Sequence, residues 1–427
     1  MMPSLSASRN ASFFDSMFTS SAPSQLLMAS SFSSPHPPGL RCRPLWATPL
    51  DHHSHFARVR MSSDSPPPLP ENRVVLGCGG AAVDFLAAVA SYPKPDEKIR
   101  STSFMVQGGG NAGNALTCAA RLGLKPRLIS KVADDCQGRN ALEELEADGV
   151  DTSFLVVSKE GNSPFSYVIV DSQTKTRTCI HTPGYPLMVP DDLPPSSISS
   201  ALDEARVFYS DGRLHETALV IAQEASRKDI PILIDAERKR EGLDDLLELA
   251  SYAVCSAKFP QAWTAAPSIP SALVSMLLRL PKLKFVIVTL GEDGCIMLER
   301  STEVETPALE EDVDSLLEML KQRKDESIFI PTCLQSPLTK IRAKETGTVS
   351  GRFFLGTAEK IPPLELVDTT GAGDAFIGAV LYALCTNMPP EKMLPFAAQV
   401  AAAGCRALGA RTGLPQRSDT RLARFLN

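Results

Sequence analysis

The stretch VDTTGAGDAFIGAVLYALC, Val367–Cys385, has residue types and spacing that could do chemistry. Gly371, Ala372 and Gly373 carry almost no side chain. The backbone can therefore bend tightly there and bring its N–H groups close to a ligand. Small and apolar residues follow at helical spacing, which predicts a helix beginning around Asp374. The free N–H groups and positive dipole end of that helix would make a pocket for an anion such as phosphate. A carboxylate at its rim is repelled by phosphate, so Asp374 needs another task. One is to accept the proton of a hydroxyl as it attacks a phosphoryl group, while backbone donors meet the developing charge. The other reading is an N-cap aspartate after a glycine turn. Spacing alone leaves both open.

Such a loop needs a scaffold, and the rest of the chain supplies its pieces. RVVLGCGGAA opens with a β-type run, Val74–Leu76, followed by glycines. Asn111–Leu124 reads as a helix rich in small residues, and Gly138–Val150 as an amphipathic helix with Ala141, Leu142 and Leu145 on one face. Ser166–His181 alternates around a polar turn and predicts a hairpin. Strand and helix patterns then alternate: ARVFYSDG before HETALVIAQEASRK, PILIDA before GLDDLLELA, YAVCSA before WTAAPSIPSALVSMLLRL. KFVIVTLG, Lys284–Gly291, is a wholly apolar strand ending in glycine. This alternation predicts an α/β fold, a mostly parallel sheet with helices on both faces and ligands beyond the carboxyl ends of its strands. Residues 300–350 break the rhythm with a charged helical stretch and a loop-like one, and read as a surface insertion.

Bulk properties narrow the partners. The 427 residues carry a formal net charge of −6, which argues against nucleic acid. No run of about 18 apolar residues predicts a membrane span. The ten cysteines form no C-x-x-C and no Cys/His cluster of zinc spacing, so they read as reduced, small apolar fillers. The first 60 residues are Ser-rich and hold five arginines, no lysine and two acids. That is the composition of an organelle transit peptide, expected over residues 1–65, and its serine load and Pro-rich middle lean to the chloroplast over the mitochondrion. The rest of the chain, residues 66–427, keeps two of the six histidines, His181 and His215, which disfavours histidine-centred catalysis.

DTTGAGDAF resembles the C-terminal signature of the ribokinase-like (PfkB) sugar kinases, and YPKPDEKIRSTSFMVQGGGNAGNALTCAARLG, Tyr92–Gly123, resembles their N-terminal one. The resemblance spans Arg73–Thr412 apart from the insertion. Through YPKPDEKIR, GGNAGN, SDGR and DAERKR the chain looks most like the ketohexokinase-like members, of a plant plastid type. The resemblance implies a three-layer sandwich with a small β-sheet lid, formed by stretches at about 99–107 and 163–181. It implies ATP-dependent phosphorylation of a sugar hydroxyl, ketohexose or fructose-like, with Asp374 as general base and Gly371, Ala372 and Gly373 as the anion hole. Asp84, Gly110, Asn111 and Asn114 fall where the family holds sugar hydroxyls, and Arg213 falls near the transferring phosphate. Gly291, Ala402 and Cys405 fall in the nucleotide region. Many relatives carry an Asn-x-x-Glu pair that organises magnesium. YAVCSAKFPQAW has none, and Lys258 stands there instead among the nucleotide residues. Glu237 is the acid left as a candidate near Mg²⁺. ATP, Mg²⁺, a monovalent cation, a homodimer through the lid and a place in the chloroplast stroma complete what the resemblance and the leader imply.

Three other readings stand beside this one. GCGGAA, Gly77–Ala82, fits a dinucleotide fingerprint, yet no strand ending in an acid follows about 20 residues later. A ribose or nucleoside acceptor fits the same scaffold. A non-catalytic plastid scaffold protein is the third, against which the intact DTTGAGDAF argues.

Overall fold

The computed structural model describes residues 68–301 and 310–426. The expected leader lies outside the described residues. Strand β1 (Val74–Cys78) is followed by β2 (Ala82–Val89), β3 (Ser103–Gly109), helix α1 (Asn111–Arg121), β4 (Lys125–Ile129), β5 (Lys131–Ala133), α2 (Cys136–Ala147), β6 (Val156–Ser158), β7 (Phe165–Asp171) and β8 (Arg177–Thr182). The strand–helix rhythm runs through α3 (Pro195–Leu202), β9 (Ala205–Ser210), α4 (His215–Arg227), β10 (Ile232–Ala236), α5 (Leu243–Leu249), β11 (Tyr252–Ser256), α6 (Phe259–Thr264), α7 (Ile269–Arg279), β12 (Phe285–Thr289) and β13 (Cys295–Arg300). Last come β14 (Glu310–Asp312), α8 (Val313–Gln322), β15 (Cys333–Gln335), β16 (Thr339–Ala343), β17 (Gly347–Gly356), α9 (Ala372–Cys385), α10 (Pro390–Gly404) and α11 (Ala423–Leu426).

The large sheet has the order β14-β16-β17-β13-β12-β11-β10-β9-β1-β4, with β15 also on β17. From β4 to β12 every pairing is parallel, as crossover helices require. Side chains alternate across it with period two. Leu76, Phe208, Ile234, Val286 and Ile296 face one core with α4, α5, α7 and α8. Val75, Val207, Leu233, Ile287 and Met297 face the other with α1, α9 and α10. Strands buried on both faces read as continuous apolar runs, and the result is three layers.

The second sheet is small, in the order β3-β2-β7-β8. Its register lines up two rows across all four strands. Gln107, Asp84, Ser166 and His181 form a polar row, and Val106, Phe85, Tyr167 and Ile180 an apolar one on the opposite side. Gln107 is buried and accepts from Thr412 Oγ1 at 3.0 Å, which turns the polar row toward the large sheet's layer. Arg177 on β8 donates to Thr369 Oγ1 at 3.3 Å from the same side.

Two elements depart from expectation. The loop-like part of 300–350 is strand: β16 pairs along β17 and joins the large sheet, while α8 buries Val313, Leu316 and Leu320 in the core. Its charges occupy only one helix face, and the described part is integral, not superficial. WTAAPSIPSALVSMLLRL is two helices, because Ala265 takes a left-handed conformation (φ 61°) and Ser268 caps α7 by accepting from Ser271 N–H at 3.1 Å.

Candidate active site

Helix α9 begins at Ala372, two residues before the expected start, so Gly373 and Asp374 lie in its first turn. Gly371 caps it with φ 73°, and a Cβ there would lie 2.4 Å from that of Ala410, so no other residue fits. Around Gly373 the space is open: a Cβ would meet nothing within 4 Å. The N–H of Ala372 reaches Thr369 O at 3.3 Å and that of Ala375 reaches Gly371 O at 2.8 Å. Among the described residues, the N–H groups of Gly373 and Asp374 have no acceptor. Two unpaired donors beside open space are what an incoming anion would use.

A residue not singled out in the sequence shapes this loop. Asp368 is fully buried. Its Oδ1 accepts from Thr370 N–H and Oγ1 at 2.9 and 2.8 Å, and its Oδ2 from Gly409 N–H at 2.9 Å. Cys405 O accepts from the N–H groups of Val367 and Asp368. Together these bonds tie the loop to the end of α10.

Asp374 is 9% exposed, and its Oδ2 accepts from Asn114 Nδ2 at 2.9 Å. Behind Asn114, Arg411 donates from Nε to Asn114 Oδ1 at 2.9 Å and from Nη2 to Gly109 O at 3.0 Å. Asn114 thus orients the carboxylate, beyond the sugar-holding role expected of it, and Arg411 fixes its amide. Burial pushes Asp374 up to about 7; the Asn114 amide, Arg213 and Arg177 pull it down and Glu237 pushes it up. A carboxylate poised there can take a proton at neutral pH. The helices that carry the pair touch closely: a Cβ on Gly378 of α9 would lie 2.6 Å from Ala115 O and Cys118 Cβ of α1.

Another residue not singled out, Asp211 of SDGR, builds the opposite wall. It is fully buried, and its Oδ2 accepts from Gly80 N–H at 2.8 Å and Ala112 N–H at 3.3 Å. Its Oδ1 accepts from Arg213 N–H at 3.0 Å. Gly110, with φ 85°, approaches Gly80 so closely that a Cβ would meet Gly80 O at 2.4 Å. Asn111 starts α1, half-buried and with no side-chain hydrogen bond among the described residues. Asp84 reaches over from the small sheet, packed on Gly109, with burial raising its carboxyl and the Ser166 hydroxyl lowering it.

The remaining residues line the same edge of the large sheet. Gly80, Arg213, Glu237, Lys258 and Gly291 follow the carboxyl ends of β1, β9, β10, β11 and β12 or the loops just past them, the place where open α/β sheets bind ligands. Lys258 is exposed, Gly291 (φ 64°) faces open space, and Ala402 and Cys405 are buried on or next to α10. The structure therefore gathers Asp84, Gly110, Asn114, Arg213 and Asp374 closely and spaces Lys258 and Gly291 farther along.

Glu237, considered for a metal, sits among cations. Its Oε2 lies 2.6 Å from Arg240, 3.7 Å from Arg213 and 3.9 Å from Arg238. Among the described residues no group of three or more acidic, His or Cys side chains could hold a metal ion.

Comparison with known proteins adds a family to this geometry. The model described as pfkB family carbohydrate kinase matches residues 75–315 and 353–417. The chain is 24% identical to ribokinase of Mus musculus over 362 residues, 83% of this chain and 96% of that protein. It is 22% identical to ketohexokinase of Mus musculus over 347 residues, 79% of this chain and 98% of that protein. The solved structure of Arabidopsis thaliana ribokinase complexed with ribose and ATP superposes with a TM-score of 0.58 at 18% identity, covering 85% of this chain and 99% of that one. The fold is thus ribokinase-like.

Proposed function

The chain belongs to the pfkB family of carbohydrate kinases, and on that premise we propose that it transfers the γ-phosphate of ATP to a hydroxyl of a small ketose such as fructose. The observation that carries this reading is the pairing of Asp374, buried and raised to about 7, with two unpaired N–H groups beside open space. In this reading the acceptor hydroxyl attacks the γ-phosphorus and passes its proton to Asp374 Oδ atoms. The N–H groups of the Gly371–Asp374 turn hold the charge on the transferred oxygens. Arg213 offsets it from the SDGR side. Asp84, Gly110 and Asn111 orient the polyol, and the small sheet excludes water. Mg²⁺ would be held mostly by the nucleotide's phosphates and water, with Glu237 the nearest acid considered for it, and would neutralise charge on the phosphates.

Ribose is the second acceptor reading, favoured by the match to a ribokinase along 96% of that protein. The apolar row of the small sheet, Val106–Phe85–Tyr167–Ile180, is solvent-facing and supports pairing with the same row of a second copy. The composition of residues 1–65 supports import into the chloroplast stroma.

Mass spectrometry of products formed from ATP and a mixture of sugars tests the proposal. A hexose or pentose gaining one phosphate is the expected result. ADP formation without any phosphorylated sugar would overturn it.

A further inference from the structure

We propose that Phe329 is a nucleotide-site residue whose ring stacks on the base of ATP. This rests on the kinase reading above and adds to it a base-reading residue from residues 316–352, the segment that the family model leaves unmatched.

The strand pairings carry the loop of Phe329 to the ligand edge of the large sheet. β12 pairs antiparallel with β13, and β13 antiparallel with β17, so β17 points the same way as β12. Both end at the edge where Gly291 faces open space. β15 runs antiparallel to the last residues of β17, with Cys333 opposite Gly356. Residues just before Cys333 therefore project past the end of β17, and hydrogen bonds continue the pairing there. Thr357 N–H donates to Thr332 O at 2.8 Å, Thr332 N–H to Thr357 Oγ1 at 2.8 Å, and Lys360 N–H to Phe329 O at 2.8 Å. The Lys360 ammonium closes the loop by donating to Glu326 O and lying 2.9 Å from Glu326 Oε2.

The stretch that holds Phe329 in place, residues 357–367, touches the other nucleotide candidates along its length. At its start, a Cβ on Gly294 would lie 2.9 Å from Ala358 N, so the turn after β12 packs against it. In its middle, Glu359 Oε1 accepts from Arg406 Nη2 at 2.7 Å, and Arg406 Nη1 donates to Ala402 O at 3.0 Å. At its end, Val367 N–H donates to Cys405 O, and the turn with the unpaired Gly373 and Asp374 N–H groups follows. A nucleotide whose terminal phosphate sits on that turn, and whose base lies toward Gly291 and Ala402, passes its base beside the loop of Phe329. The ring is 66% exposed, with Lys360 Nζ 5.9 Å from its centroid. The surface around it is charged, Lys324 and Lys360 both pairing with Glu326, which suits one flat ligand better than a broad apolar interface. A base offers such a face, and stacking it on an aromatic ring needs neither donor nor acceptor.

The test measures binding of ADP and of inorganic tripolyphosphate, which lacks a base, by calorimetric titration of the full chain, with sugar-phosphorylation kinetics alongside. Phe329→Ala is expected to raise the KM for ATP and the Kd for ADP roughly 5- to 100-fold, with far smaller changes in kcat, in the KM for sugar and in the affinity for tripolyphosphate. Phe329→Trp is expected to keep the affinity for ADP, a rescue that separates lost stacking from a damaged fold. Its added tryptophan emission should change with ADP and not with tripolyphosphate. Unchanged ADP binding by Phe329→Ala overturns the inference alone, as does an equal loss for tripolyphosphate, since the residue would then act on the phosphates or the fold. Nucleotide binding that depends on Phe329 without phosphorylation of any sugar overturns the kinase reading instead. Absence of both nucleotide binding and turnover in the unaltered chain overturns both.

Discussion

Asp374 has to be buried and yet hold a charge, and its neighbours divide that labour. Burial raises its carboxyl to about 7, while the Asn114 amide lowers it. A base works ionised, so the rate with sugar should climb as pH rises through about 7 and level above it. Asn114→Ala removes the lowering contact, and the midpoint of the pH–kcat profile should move to higher pH. A midpoint that stays put or falls would show that the amide does not tune this group. Stability runs the other way. The carboxyl binds its proton more tightly folded than unfolded, so its contribution is full below the unfolded value of 3.8 and is lost as pH rises through about 7. Asp374→Asn should therefore raise Tm more at alkaline pH than at about pH 5, as thermal melts would measure.

At the scale of elements, the site is where α1 and α9 meet, because one carries Asn114 and the other Asp374. Gly378 lets them approach. Gly378→Val would force a side chain against Ala115 O and Cys118, costing about 1–3 kcal/mol by overpacking. It should lower kcat as well, since it separates base from amide; denaturant unfolding and turnover measure the two. The glycine–aspartate turn was legible because its glycines, its acid and the apolar helix that follows lie within a few residues of one another. Asp211, Asp368 and Arg411 were not, because each also bonds at long range: Asp211 to Gly80 and Ala112, Asp368 to Gly409, and Arg411 to Asn114 across 297 positions. Arg411 sits in RTG, a stretch with no local pattern to betray a buried cation. In the 300–350 region the helix is legible but its burial is not, because the apolar stripe of Val313, Leu316 and Leu320 is short and set among charges. The strand is not legible, because Thr339, Ile341 and Ala343 alternate with exposed or half-exposed Lys340 and Arg342 over only five residues. Pairing with β17 is what makes β16 a strand.

At the scale of the whole molecule, the small sheet is polar toward the site and apolar away from it, and the proposed pairing of two copies rests on that apolar face. Phe104→Glu/Tyr167→Glu places charges on the outward face, where both residues are exposed. Light scattering should then report a dimer for the unaltered chain and a monomer for the variant, with Tm nearly unchanged; two species of equal mass would contradict the proposed pairing. Residues 1–65 fused to a fluorescent protein should carry it into chloroplasts, and cytosolic fluorescence alone would count against the leader reading. The most direct measurement of the central claim is steady-state phosphorylation of the best sugar by the unaltered chain and by Asp374→Asn, with ATP binding followed in parallel. Loss of kcat by roughly 10²- to 10⁴-fold at nearly constant ATP affinity is predicted, the usual worth of a general base. Turnover by Asp374→Asn at the unaltered rate would contradict it.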